Sequence, residues 1–453
     1  MSSKPFVWGV ATSSFQIEGA AHIGGRGESI WDRFCRTPEK VKNSDNGDIA
    51  CDHFHRYKED IALMKSLGVQ AYRFSVAWPR IFPTGKEEVP NGSGLQFYSN
   101  LVDALLEAGI EPWLTLYHWD MPQPLQDDGG WCNRGILTHF RRYTRVLADA
   151  LGDRVKNWIT INEPWVICHL GYATGEHAPG ISDWPSALQA AHHVLLAHGV
   201  AVQEIRQSVP DAKVGITLNL CPSEPASPSD ADADANRHFD GFFNRWYLDP
   251  VFGRGYPEDM IEDYVSADKL PTAKPSWVQD GDLDIIAIQS DFLGINYYSR
   301  AVIRSETIPE EENLPPTVIA DGPRTDFDWE VHAPSLHRLL HRLTDEYQAE
   351  SIIVTENGAS YATAPDENGT INDEERVYYF KTHTEACVSA RHEGVPLDGY
   401  FAWSLMDNFE WAEGYSQRFG LVWVDFETLH RTPKESAYWY RDWIQSDPLK
   451  PSD

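Results

Sequence analysis

Two glutamates stand out in this chain of 453 residues, because each follows a short run rich in β-formers: Glu163 after Asn157–Ile161 and Asn162, Glu356 after Ser351–Thr355. Two carboxyl groups held across a gap can cleave a glycosidic bond. One protonates the departing oxygen, and the other attacks the anomeric carbon or activates a water molecule. Either glutamate alone could be a structural group that satisfies buried backbone amides. Their surroundings favour chemistry. Gln16, Arg73, His118, Trp119 and Asn162 lie within or just past the ends of other β-rich runs, as do Asn296, Tyr298, Trp403, Glu410 and Trp411. Carboxylates, amides and indoles at one mouth suit a neutral, hydroxyl-rich ligand. Vicinal hydroxyls take paired hydrogen bonds, and the C–H faces of a sugar lie on flat apolar rings. Of the 17 tryptophans, those at the strand ends meet that need, while many of the others must be core filler.

Eight β-rich runs must position these groups: Phe6–Ala11, Ala71–Ala77, Pro112–Tyr117, Asn157–Ile161, Lys213–Leu218, Asp291–Tyr297, Ser351–Thr355 and Gly399–Ser404. Amphipathic stretches separate them. His55–Leu67 puts Ile61, Met64 and Leu67 on one face and ends at Gly68, a left-handed cap. Gly94–Leu106 repeats the device with Leu101, Leu105 and a stop at Gly109, and Ser186–Arg206 carries Leu188, Ala191, Leu195 and Val202 at similar spacing. Eight strands alternating with helices predict an α/β fold, a single (β/α)8 TIM barrel whose long βα loops form a deep pocket. An open doubly wound sheet is the alternative, but no Gly-x-Gly-x-x-Gly follows a strand. One domain is expected over residues 1–445, with a frayed tail at 446–453. The polar segments Pro222–Asn236 and Glu306–Arg324 read as long loops after strands.

Composition removes several function classes. With 38 Lys plus Arg against 68 Asp plus Glu, the formal charge of -30 repels phosphate backbones and anionic bilayers, so neither nucleic acid nor membrane is an expected partner. A small-molecule substrate remains, and nothing in the composition opposes a homo-oligomer. Six scattered cysteines without a Cys-x-x-Cys pair read as reduced thiols of a cytoplasmic protein, not as a zinc or redox site. The N-terminus lacks the pattern of a signal peptide, and no apolar run reaches membrane-span length. His53 and His55 read as surface or capping residues at a helix start, and His192-His193 as one core and one surface histidine. Asp230, Asp232 and Asp234 read as a solvated acidic loop, without the glycine and glutamate of a calcium loop.

The residues also carry a family resemblance. Thr160-Ile161-Asn162-Glu163-Pro164 and Val354-Thr355-Glu356-Asn357-Gly358 resemble the two active-site signatures of family 1 glycoside hydrolases, the β-glucosidase family. The opening Phe6-Val7-Trp8-Gly9-Val10-Ala11-Thr12-Ser13-Ser14-Phe15-Gln16-Ile17-Glu18-Gly19 is similar to that family's N-terminal signature. Tyr72-Arg73-Phe74-Ser75, Leu116-Tyr117-His118-Trp119-Asp120, Gly294-Ile295-Asn296-Tyr297-Tyr298 and Trp403-Ser404-Leu405-Met406-Asp407-Asn408-Phe409-Glu410-Trp411 match as well. The matches run in the same order along nearly the whole chain.

The resemblance implies that Glu356 is the nucleophile and Glu163 the acid/base of a retaining mechanism, with Arg73, Asn296 and Tyr298 supporting the pair. On that reading Arg73 and Tyr298 keep Glu356 ionised, and Glu163 holds its proton to higher pH beside that charge. Retention implies carboxyls about 5–5.5 Å apart. Gln16, His118, Trp119, Asn162, Glu410 and Trp411 would hold the non-reducing sugar over Trp403, with Asn162 on the 2-hydroxyl. Trp329 resembles the indole on the leaving-group side, and Trp165 and Leu170 would line the entrance. The implied activity is an exo-acting β-glucosidase on aryl glucosides and cello-oligosaccharides, with side activity on β-galactosides or β-fucosides and no metal or organic cofactor. Exo action follows from a pocket closed by Gln16 and Glu410. Relatives that take phosphorylated sugars carry small and basic residues where this chain has Glu410-Trp411, and thioglucosidases carry glutamine where it has Glu163. A transglycosylase remains an alternative. So does a sugar-binding relative that has lost the chemistry, although both glutamates are intact.

Overall fold

The structure, a computed structural model, describes residues 5–306, 317–318 and 321–450. Eight parallel strands close into a barrel: β1 (Val7–Ala11), β2 (Ala71–Ser75), β3 (Glu111–Tyr117), β4 (Asn157–Asn162), β5 (Lys213–Asn219), β6 (Phe292–Asn296), β7 (Ile352–Asn357) and β8 (Leu397–Trp403). Each pairs with its sequence neighbours, and β1 closes on β8 from Val7↔Gly399 to Ala11↔Trp403. All eight β-rich runs are strands of this barrel, displaced by one or two residues at their ends.

Most of the strand residues are buried on both faces, which explains why the runs read as nearly continuous apolar stretches rather than alternating ones. Inside the barrel Trp113 meets Phe292 and Phe401 at ring-centroid distances of 5.4 and 5.1 Å. Ile159, Ile353 and Trp403 join the same inner cluster. The barrel is thus plugged by side chains, and the plug is the floor beneath its C-terminal mouth.

Outside lie α1 (His53–Ser66), α2 (Gly92–Ala108), α3 (Ile136–Leu151), α4 (Trp184–Ser208), α5 (Asp230–Asp240), α6 (Ala333–Asp345), α7 (Glu374–His392) and α8 (Glu435–Gln445). In α3, Ile136, Phe140, Tyr143, Leu147 and Leu151 recur every three to four residues and form its buried stripe. Gly109 ends α2 at φ 77°, a left-handed conformation that glycine adopts without a Cβ penalty, as the spacing predicted.

Four expectations are corrected. Pro222–Asn236 is not simply a loop: Ser223–Pro225 is a short strand, and α5 starts at Asp230 with Ser229 accepting from the Asp232 N–H at 3.1 Å. Asp230, Asp232 and Asp234 therefore lie on a helix, and Asp232 is buried, accepting from Ser227 Oγ and the Ser305 N–H. His53 is neither surface nor cap but sits buried against Asp60 at 2.7 Å. His192 and His193 are both buried, the first held by Tyr256 and Asp282, the second by the Trp131 carbonyl. Of the segment Glu306–Arg324, residues 307–316 and 319–320 lie outside the described residues, and Thr317–Val318 is a strand paired with Val302–Ile303.

Candidate active site

At the mouth of the barrel, strict alternation along β4 and β7 breaks, and the break puts both glutamates where they are. On β4 the register with β5 shifts between Ile159 and Asn162; on β7 the register with β6 shifts between Val354 and Glu356. Such irregularities re-aim the side chains that follow them. Thr355 and Glu356, neighbours in sequence, therefore both reach polar partners inside the barrel. Glu163, the first residue past β4, has φ 53°, and Trp119 and Trp411 have φ 82° and 48°. Left-handed conformations at three bulky residues store strain at the site. Gly358 is required by contact: a Cβ there would lie 1.7 Å from the Trp403 carbonyl oxygen.

Arg73 organises the interior. Its Nη1 donates to Glu356 Oε1 at 2.5 Å and to the Thr355 carbonyl at 2.9 Å, its Nη2 to Asn162 Oδ1 at 2.6 Å, and its Nε to Thr115 Oγ1 at 3.2 Å. A guanidinium only donates, so the Asn162 oxygen must face it, and the Asn162 amide nitrogen then faces His118 Nε2 at 3.2 Å. Asn296 is fixed in the same way. Its Oδ1 accepts from Thr355 Oγ1 at 2.8 Å, leaving Nδ2 to donate to Glu163 Oε1 at 2.5 Å and to Asn162 Oδ1 at 3.1 Å. Asn296 stands opposite Glu356 in the β6–β7 register. Tyr298 donates its hydroxyl to Glu356 Oε2 at 2.6 Å.

The two carboxyls are unlike. Burial lifts both above the usual carboxylate range. On Glu356 the Arg73 cation and the hydrogen bonds from Tyr298 and Arg73 oppose that lift. On Glu163 the negative charge of Glu356 adds to it, and Glu163 is raised much further. Glu356 therefore ionises first, and Glu163 keeps its proton. Burial, helped by the charge of Glu356, also pushes Glu410 up to about 8. His118 is held neutral by burial and by Arg73. Because its Nε2 accepts from Asn162, its proton sits on Nδ1, which has no protein acceptor among the described residues.

These groups open on a cavity of about 950 Å³, whose lining includes Glu163, Glu356, His118, Trp119, Asn296, Tyr298, Trp329, Trp403, Glu410 and Trp411. Trp165 and Leu170 line it as well. Gln16, Arg73 and Asn162 are fully buried beside it without forming its wall. Gln16 Nε2 reaches Asn408 Oδ1 at 3.0 Å, the Phe409 carbonyl at 2.8 Å and Glu410 Oε2 at 3.4 Å. His118 stacks between Trp403 and Trp411, at 5.8 and 5.9 Å and interplanar angles of 15° and 16°. Trp329 stacks on Phe327 at 4.6 Å.

Four aromatic lining residues were not singled out from the sequence: Phe239, Phe243, Phe327 and Phe419. Phe243 stacks on Trp165 at 4.2 Å and on Phe239 at 5.5 Å, so three rings form a ladder along one wall. Phe239 lies in the last turn of α5 and Phe243 in the π-helical segment Gly241–Arg245 that continues it. The signal existed: Ser229 before three alternating aspartates is a helix N-cap, and a helix there makes the i,i+4 pair of phenylalanines neighbours.

Comparison with known proteins agrees with the geometry. The family described as Glycosyl hydrolase family 1 matches residues 2–448. Beta-glucosidase A of Thermotoga maritima is 45% identical over 446 residues, covering 98% of this chain and 98% of that protein. The bifunctional beta-D-glucosidase/beta-D-fucosidase of Bifidobacterium breve is 42% identical over 468 residues, covering 97% of each. The solved structure of the family 1 β-glucosidase from Thermotoga maritima superposes with a TM-score of 0.93 at 43% identity, covering 100% of this chain and 99% of that one.

Proposed function

The chain belongs to glycosyl hydrolase family 1, and from that premise we propose that it is a retaining exo-β-glucosidase, which releases terminal glucose from aryl β-glucosides and cello-oligosaccharides. One observation carries the reading: Glu356 accepts from a cation and a phenol, while Glu163 accepts from a single amide and faces the charge of Glu356. Such a pair divides the work of glycoside cleavage.

In the first half-reaction the Glu356 carboxylate attacks the anomeric carbon as Glu163 delivers its proton to the departing oxygen. The products are a glycosyl ester on Glu356 and a free aglycone. Esterification removes the charge of Glu356, so the Glu163 carboxylate is no longer pushed towards protonation. It can then take a proton from water as that water attacks the anomeric carbon and releases Glu356. Asn162 is our choice for the 2-hydroxyl contact, which requires the wall to open enough to expose the amide that Arg73 fixes behind it. His118 and Glu410 line the cavity beside the Trp403 indole, where we expect them to meet ring hydroxyls. At about 8, the pKa of Glu410 lets it donate to a hydroxyl at neutral pH as well as accept.

The bond from Gln16 to Glu410 supports exo action, since it braces a lining carboxyl against the buried Phe409 backbone that Gln16 also holds. The name of one relative, the Bifidobacterium breve enzyme, supports side activity on β-fucosides. We place the protein in the cytoplasm on the strength of its six free cysteines. No helix among the described residues is long and apolar enough to cross a membrane.

Turnover of a chromogenic aryl β-glucoside, followed by NMR for the anomer first released, tests the proposal. It expects β-glucose. Release of α-glucose would overturn retention, and absence of turnover would overturn the enzymatic reading.

A further inference from the structure

On the outer face of the barrel, away from the cavity, three side chains from two helices converge. His337 and His341 stand four residues apart on α6, one above the other, with ring centroids 4.7 Å apart. Glu393 directly follows α7. Its Oε2 lies 3.0 Å from His337 Nε2 and 2.8 Å from His341 Nε2, and the three donor atoms are all within 4.8 Å of one another. We propose that His337, His341 and Glu393 form a binding site for a zinc-class divalent metal ion, with water completing the coordination shell.

The donor set fits that class. Two imidazole nitrogens and one carboxylate oxygen suit zinc, and also cobalt or nickel, better than calcium or magnesium, which prefer oxygen. Ligands about 2.0–2.2 Å from a tetrahedral ion lie roughly 3.3 Å from each other, so the nitrogens need to move only a few tenths of an ångström from Oε2. The carboxylate is already oriented, since its other oxygen accepts from Ser389 Oγ at 2.8 Å. The neighbouring cations do not compete for it. Arg338 pairs with Glu224, Arg342 with Asp240 and Glu346, and Arg391 with Asp398. The histidines are half-buried and Glu393 is exposed, so an ion can enter from solvent and water can reach it.

The site links the two helices that precede β7 and β8, the strands carrying Glu356 and Trp403. Occupancy clamps α6 to the end of α7 and favours the folded state by mass action. The clamp stands apart from the side chains that carry hydrolysis.

The test uses the full chain after chelator treatment, titrated with zinc by calorimetry and with cobalt by visible absorption at mildly alkaline pH. The proposal expects saturation at one equivalent per chain, tetrahedral-type cobalt bands and a higher Tm with metal. H337A/H341A and E393Q should each bind about 10-fold or more weakly, while aryl glucoside turnover without metal stays at the wild-type rate. A second readout needs no variant: zinc should protect His337 and His341 of the wild-type chain from diethyl pyrocarbonate, as mapped by mass spectrometry. Failure of the wild type to bind one saturable equivalent would overturn the proposal. So would unchanged binding in the variants, or modification of both histidines at the same rate with and without zinc.

Discussion

Arg73 and Glu356 meet through Nη1 and Oε1 at 2.5 Å, with side chains only 1% and 3% exposed. They come from strands β2 and β7 on different sides of the barrel, so the ion pair spans the interior just above its aromatic floor. Burial of one charge without the other would be costly, whereas the pair with its further donors is tolerable. The same guanidinium fixes the Asn162 amide, and one residue thereby sets both the charge of Glu356 and the direction of its neighbour.

Arg73→Lys keeps a charge but loses the fork that serves Glu356 and Asn162 together. We expect kcat on an aryl β-glucoside to fall by about 10²-fold or more. The acid limb of the pH profile should also move to higher pH, because the cation that holds Glu356 down is weakened. An acid limb at its wild-type position would show that Arg73 does not tune Glu356.

Glu163→Gln removes a proton donor and leaves Glu356 in place. Glycosylation by a dinitrophenyl glucoside, whose leaving group needs little protonation, should stay within reach of the wild-type rate. Cellobiose hydrolysis should drop by about 10²–10⁴-fold. Azide, which needs no general base, should restore turnover of the activated substrate and yield β-glucosyl azide. Equal losses on both substrates would contradict the assignment of Glu163.

The alkaline limb of kcat/KM belongs, on this geometry, to Glu163. As pH rises through its raised pKa the proton is lost, and with it the general acid, so activity must fall on the alkaline side. The two carboxyls interact, and the measured limbs are properties of the pair. Glu410, near 8, titrates in the same region. The Glu410→Gln variant separates them: its rate will be lower, but an alkaline limb that persists assigns the fall to Glu163, and one that disappears assigns it to Glu410.

Strand positions were readable because parallel barrel strands are buried on both faces and so appear as unbroken β-branched and aromatic runs. The order of the site residues was readable because barrel chemistry sits at strand ends. What could not be read was parity. Alternation would send Glu356 to the face opposite Thr355, and only the register shift after Val354 brings both inside. Nor does spacing reveal that Gln16, Arg73 and Asn162 are fully buried, serving as the bracing of the cavity wall. Phe239 and Phe243 escaped because the aspartates and prolines of Pro222–Asn236 made the stretch just before them look like loop, although a helix cap was present at Ser229. The buried His53–Asp60 pair escaped for a related reason, since its partner Arg431 is distant in sequence.

The Trp165–Phe243–Phe239 ladder lines the wall on which an aglycone would lie. Phe243→Ala removes the ring stacked on Trp165 and should weaken aryl glucosides and cello-oligosaccharides by about 1 kcal/mol, a KM effect of several-fold. Inhibition by glucose, which needs only the inner part of the pocket, should not change. A variant with altered glucose inhibition and unaltered KM would place the ladder outside the aglycone path.

Far from the cavity, Asp60 on α1 accepts from His53 Nδ1 at 2.7 Å and from Arg431 Nε at 2.9 Å, and its side chain is 1% exposed. Burial would raise its pKa, but the bonds and charges of His53 and Arg431 outweigh burial and hold the carboxyl below its ordinary value. A carboxyl depressed in the folded state stabilises the protein fully above its unfolded pKa and loses that contribution as pH falls through the folded one. Asp60→Asn leaves Arg431 without its counter-charge, so unfolding at neutral pH should be easier by about 3–5 kcal/mol. The gap between variant and wild type should narrow below about pH 4, where the wild-type carboxylate begins to protonate in the unfolded chain. Turnover of the folded variant on an aryl glucoside should match wild type, because Asp60 touches none of the groups around Glu163 and Glu356. Denaturant titrations across the acid range measure this directly, and a pH-independent gap would mean that the lost stability is not the charge of Asp60.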